Sequence, residues 1–148
     1  MSEDETLSVI KKHDSVFAEK LAGFKTVSPV KYKMMIVMAG RMLSGARFEA
    51  DENMEKDAVR GLSLEFDSKE LGLKYDKAAD AAKPAIKAEL KTKVAELFDL
   101  RLKGQEMRIK MMEEELARLK KRVGERKINK AKIVDERLGQ LLGEGYGW

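Results

Sequence analysis

From residue 85 to residue 142 apolar side chains return every three or four positions, and most of the residues between them are charged. Leu90, Val94, Leu97, Phe98, Leu102, Ile109, Met112, Leu116, Leu119, Val123, Val134, Leu138 and Leu141 carry the pattern, and no proline follows Pro84. This spacing predicts one long amphipathic helix whose apolar side needs a partner. Gln105, Ile109, Met112, Leu116, Leu119 and Val123 step by 4, 3, 4, 3 and 4, which is a heptad seam. On either side the rhythm changes: Val94, Phe98, Leu102 and Gln105 step by 4, 4 and 3, as do Val123, Lys127, Ala131 and Val134. Each change is a stutter that locally unwinds a left-handed supercoil, so a fairly straight rod is expected. Gly104, Gly124 and Gly139 each cost roughly 1 kcal/mol against alanine in a helix and mark candidate bends or close contacts.

The first half predicts shorter helices. Residues 4–21 place Leu7, Ile10, Phe17, Ala18 and Leu21 at helical spacing, with acids at the start and Gly23 as a stop. Ser28-Pro29 is a strong start signal, a serine cap before a proline pre-organised for the first turn. The helix it opens is apolar over a wide arc between residues 34 and 43, which predicts a deeply buried element. A poorer pattern over 51–66 is expected to end at Asp67-Ser68. Another helix over 70–82 would then present Leu71, Tyr75, Ala78, Ala79 and Ala82 on one face.

Composition supports an all-α fold. Only two of 148 residues are proline, charged residues reach 38% and aromatics only 6%. So few aromatics suit thin helix–helix interfaces better than a thick core. The expected organisation is a small head of short N-terminal helices over 1–83, a long helical arm over 84–142, and a glycine-rich tail over 143–148. The arm would form a hairpin or a coiled-coil-like dimer. No segment approaches the ~20 apolar residues of a membrane span. The absence of cysteine excludes disulfides and thiolate ligands. As written the chain is expected in the cytoplasm, or in a bacterial periplasm if a leader has been removed.

Three features could carry chemistry. Thirty basic residues nearly balance 26 acidic ones, yet Arg118, Lys120, Lys121, Arg122, Arg126, Lys127, Lys130 and Lys132 meet only Glu125 as a counter-charge within their own stretch. This run is a candidate for nucleic-acid phosphate or an anionic surface. It has no interleaved aromatic for base stacking. The competing assignment pairs it with acidic helices, for which Glu49, Asp51, Glu52, Glu55 and Asp57, or Glu113, Glu114 and Glu115, are available. Met34, Met38 and Met42 repeat every fourth residue and offer soft sulfur ligands for Cu(I), against the commoner use of methionine as core filler. The lone histidine, His13, reads as a surface residue. Carboxylate pairs such as Asp76/Asp80 and Glu96/Asp99 read as solvated helix charges, because a catalytic pair needs a partly dry cleft.

The segments AELFDLRL at 95–102, MEEELARLKKRV at 112–123 and IVDERL at 133–138 resemble bacterial coiled-coil proteins, often exported. More distantly they resemble the Spy/CpxP type of periplasmic stress adaptors. That resemblance implies a small, basic, methionine-containing all-helical dimer that cradles other chains, although the L-T-x-x-Q motif of that type is missing here. The expectation is therefore a non-enzymatic protein-binding module, with no metal and no cofactor, and a homodimer or higher homo-oligomer. Its interaction seam would be Leu102, Ile109, Met112, Leu116, Leu119 and Val123. The alternatives are an electrostatic binder acting through 118–132 and a methionine-based Cu(I) sensor.

Overall fold

A computed structural model describes residues 1–48 and 51–144, the side chain of Phe48 excepted. Glu49 of the acidic run, and Tyr146 and Trp148 of the tail, lie outside the described residues. The described chain is all-helical: α1 (Glu3–His13), α2 (Ser15–Val27), α3 (Pro29–Phe48), α4 (Glu52–Lys77), α5 (Lys83–Ile128) and α6 (Lys130–Leu142). Contacts divide it into two units, Met1–Gly104 and Gln105–Trp148.

In the first unit α3 is central and packs on α1, α2 and α4. The expected single helix over 4–21 is two. Asp14 leaves helical geometry at φ −150° and ψ 90°, and its carboxylate accepts from the Phe17 N–H at 2.8 Å, so it caps α2. The turn lets both helices present a face to α3. Ile10 from α1 and Phe17, Ala18 and Leu21 from α2 join Ala39 and Leu43 of α3 and Val59 and Phe66 of α4 in one core. Phe66 takes edge contacts from Phe17 and Phe24, with centroids 5.7 and 5.2 Å away. A capping box between Ser2 and Glu5 starts α1.

Helix α3 begins at Pro29, as the Ser28-Pro29 signal predicts. Gly40 permits its close approach to α1: a Cβ there would lie 3.0 Å from Thr6 Oγ1. The wide apolar arc is only half buried. Tyr32, Ile36, Ala39, Leu43 and Ala46 face inward, while Met34, Val37, Met38 and Met42 face solvent.

Helix α4 runs without a break through Asp67-Ser68. Asp67 cannot act as a cap there, because its carboxylate lies between Lys20 of α2 (2.8 Å) and Lys93 of α5 (3.2 Å). The alanines at 78, 79 and 82 form the turn into α5 instead of a helix face.

Within this unit α5 returns along α4 in the opposite direction. Lys83 sits over the Tyr75 ring, Lys93 meets Asp67, Arg60 holds Glu96 through two hydrogen bonds of 2.6 and 2.7 Å, and Lys103 pairs with Asp57. Leu97 is buried beside Gly61, and Ile86, Leu90 and Leu100 are half-buried. Val94, Phe98 and Leu102 point away from α4 and are exposed.

In the second unit α5 continues to Ile128. Asn129 departs from helical ψ (φ −90°, ψ 14°), yet its N–H still reaches Glu125 O and its carbonyl accepts from Ile133 N–H. Helix α6 ends at Gly143, which adopts a left-handed φ of 71°.

Candidate functional site

One exposed apolar feature is the row on α5 in the second unit. At 100° per residue, Ile109, Met112, Leu116, Leu119 and Val123 fall within an arc of about 80°. Heptad spacing keeps them there, and each is between 42% and 58% exposed. That is about the shielding a helix gives its own side chains. Charges flank the row. Glu113 and Glu115 border its first half, and Lys120 and Arg122 its second. Arg118 reaches back to Glu115 at 3.1 Å. On α6, Val134, Leu138 and Leu141 are exposed in the same way.

Leu102, the remaining seam residue, lies on α5 within the first unit and is 43% exposed. Leu90, Leu97 and Leu102 are expected from sequence on one side of the helix. At 100° per residue Leu102 lies about 140° from Leu97, so Leu97 faces α4 and Leu102 points outward.

The basic residues Arg118, Lys120, Lys121, Arg122, Arg126, Lys127, Lys130 and Lys132 are all exposed. At 100° per residue they are spread around most of the helix circumference, so they make no one-sided stripe for a phosphate backbone to follow.

Met34, Met38 and Met42 share the outer face of α3 with Val30 and Val37, all of them exposed. They are not core filler. Among the described residues no group of three or more His, Cys, Asp or Glu side chains is placed to hold a metal.

His13 is not a surface residue. Its side chain is nearly buried between α1 and α4, with Nε2 2.7 Å from Glu55 Oε1. Lys12 adds contacts to Glu52 (2.9 Å) and Glu55 (3.6 Å). The hydrogen bond from His13 is the main reason that the Glu55 carboxyl is held below its ordinary acidity range. Around it lies a small open cavity lined by Lys12, Arg47, Asp51, Glu52 and Glu55. Sequence offered no signal for this contact, which joins residues 42 positions apart.

Burial raises the Asp67 carboxyl, but hydrogen bonds from Lys20 and Lys93 outweigh that and leave it lowered overall. Glu96 is lowered chiefly by its hydrogen bond to Arg60. The carboxylates this fold gathers are thus held ionised by hydrogen-bond donors. Of the carboxylate pairs named from sequence, Asp80 lies in the turn beyond the end of α4, so it shares no helix with Asp76, and Glu96 is engaged by Arg60.

Comparison with known proteins returns no match: no family model, no curated protein and no solved structure matches the chain.

Proposed function

We propose that this chain is a non-enzymatic protein–protein interaction module, a scaffold, adaptor or chaperone-like factor, acting through the apolar row on α5. The observation that carries the reading is the exposure of Ile109, Met112, Leu116, Leu119 and Val123 along one arc of α5. Full burial of such a side chain is worth about 1.5–3 kcal/mol, so each half-exposed one leaves roughly 1 kcal/mol to be gained from a partner. Scattered apolar residues on a surface need no explanation, but a continuous row of this kind marks an interaction face.

The carboxylates fit the same reading. Glu55, Asp67 and Glu96 are kept ionised by hydrogen bonds from histidine, lysine or arginine neighbours, which suits cross-links between helices better than proton transfer. The circumferential spread of the basic run favours contact with flanking acids over tracking a nucleic-acid strand.

The test compares the wild-type chain with Leu116→Asp plus Leu119→Asp in extract of its source cells. Wild type should sediment as a species heavier than its own 16.7 kDa, and the variant as a monomer of unchanged helix content. Identical sedimentation of the two would reject the apolar row as the binding face.

A further inference from the structure

The row on α5 reads almost the same from either end. Reflecting the sequence about the bond between Ala117 and Arg118 sets Leu116 on Leu119 and Met112 on Val123. From this symmetry and the charges beside it, and resting on the reading of the row as a protein-binding face, we infer that its partner is a second copy of this chain. The two copies pair antiparallel, with the two-fold axis at residues 117 and 118.

The flanking charges fit that register. In an antiparallel pair, residues bordering the same edge of the seam face one another. Glu113 then faces Lys120 of the second copy, Glu115 faces Arg122, and Glu106 faces Lys127, each contact occurring twice by symmetry. The stretch 118–130 holds seven basic residues and one acidic, while 105–117 holds four acidic and two basic. Antiparallel pairing lays the first stretch on the second. In sequence, the same reflection extends within one position to Leu102 on Val134, Phe98 on Leu138 and Val94 on Leu141. All six of these side chains are exposed.

A parallel pair fits less well. It keeps Glu115 near Lys120 and Arg108 near Glu113, but it sets Arg122 against Lys127 and lays the basic stretch along its own copy. In the antiparallel register Arg126 lies opposite Ile109, where its aliphatic stem can cover the seam while the guanidinium reaches water.

The absence of native cysteine makes the test clean. Met112→Cys and Val123→Cys are introduced singly into the full chain. In the antiparallel register position 112 lies roughly 16 Å along the axis from its own copy, at about 1.5 Å per residue. That is beyond the reach of a disulfide, whose Cα atoms lie within about 7 Å. Under mild oxidation neither variant alone should form a covalent dimer, and an equimolar mixture should. A second pair removes dependence on cross-linking. Glu113→Lys plus Glu115→Lys, and Lys120→Glu plus Arg122→Glu, should each weaken self-association roughly tenfold or more, and mixing the two should restore it. Met112→Cys coupling efficiently to itself would overturn the antiparallel register. Purified wild type that remains monomeric by light scattering at high micromolar concentration would overturn the second copy as partner. A monomer whose heavier species in cell extract still depends on Leu116 and Leu119 would leave the broader reading standing and remove only this one.

Discussion

Leu→Ala substitutions at Leu43 and at the Leu116/Leu119 pair should have opposite consequences, because the same side chain does different work in the two places. Leu43 is fully buried between α3 and the core. Its truncation loses both the transfer energy and the filled volume, about 2–5 kcal/mol. Leu116 and Leu119 are 51% and 42% exposed in the single chain, and no neighbouring element would close on a cavity there. Alanine also favours the helix at least as well as leucine. Removing both should therefore change the stability of α1–α4 by less than about 0.5 kcal/mol. In a two-fold pair, however, four leucines are lost from the seam. At roughly 1 kcal/mol for the half of each side chain that pairing would bury, association weakens by about 4 kcal/mol, or close to a thousandfold in Kd. Two measurements separate the effects: sedimentation equilibrium for self-association and hydrogen exchange of the α3 amides for the core. Leu43→Ala should lower α3 protection and leave Kd nearly unchanged, and the double variant should do the reverse. If the double variant loosens α3 as much as Leu43→Ala does, the row is part of the folding core and the reasoning fails.

Glycine substitutions should separate in sign: Gly40→Val, whose side chain would press on Thr6 Oγ1 and the Met1 carbonyl, should cost about 1–3 kcal/mol, while Gly23→Ala, with nothing within 4 Å of the added carbon, should gain about 0.5–1 kcal/mol, both read from melting temperature. Asp14→Ala removes the side-chain cap of α2 and should cost about 1 kcal/mol in urea denaturation, whereas an unchanged midpoint would show that packing alone sets the turn. Acid should also destabilise the first unit. Glu55 and Asp67 have lowered folded-state pKa values, so their contribution is complete above the ordinary values near 4.5 and 3.8 and is lost as pH falls through the lower folded values. Urea midpoints should hold from neutral pH down to those values and drop below them, and Asp67→Asn should show a shallower drop than wild type.

The legible parts of this protein were those where chemistry local in sequence decides the backbone. The start of α3 at Pro29 follows from a serine cap and a proline already set for the first turn. The long helical stretch after Pro84 follows from helix-forming residues with no further proline. The single helix expected over 4–21 divides at Asp14, because a capping carboxylate and a helix-surface carboxylate look alike until the chain turns at that residue. The supposed break at Asp67-Ser68 failed for a related reason. An aspartate offers a cap only if nothing else claims it, and here Lys20 and Lys93 do, from 47 and 26 positions away.

By itself the sequence determined that the chain is helical and that one edge of α5 carries a heptad row between charged borders, because helix propensity and a 3.5-residue rhythm are both written within a few turns. The tertiary structure decided which apolar residues are spent on the fold. Periodicity gives each helix a greasy face but not the neighbour it meets, and neighbours come from residues far apart in the chain. Thus Leu97 is taken by α4 and His13 by Glu55, the methionines of α3 are turned outward, and the row from Ile109 to Val123 is exposed.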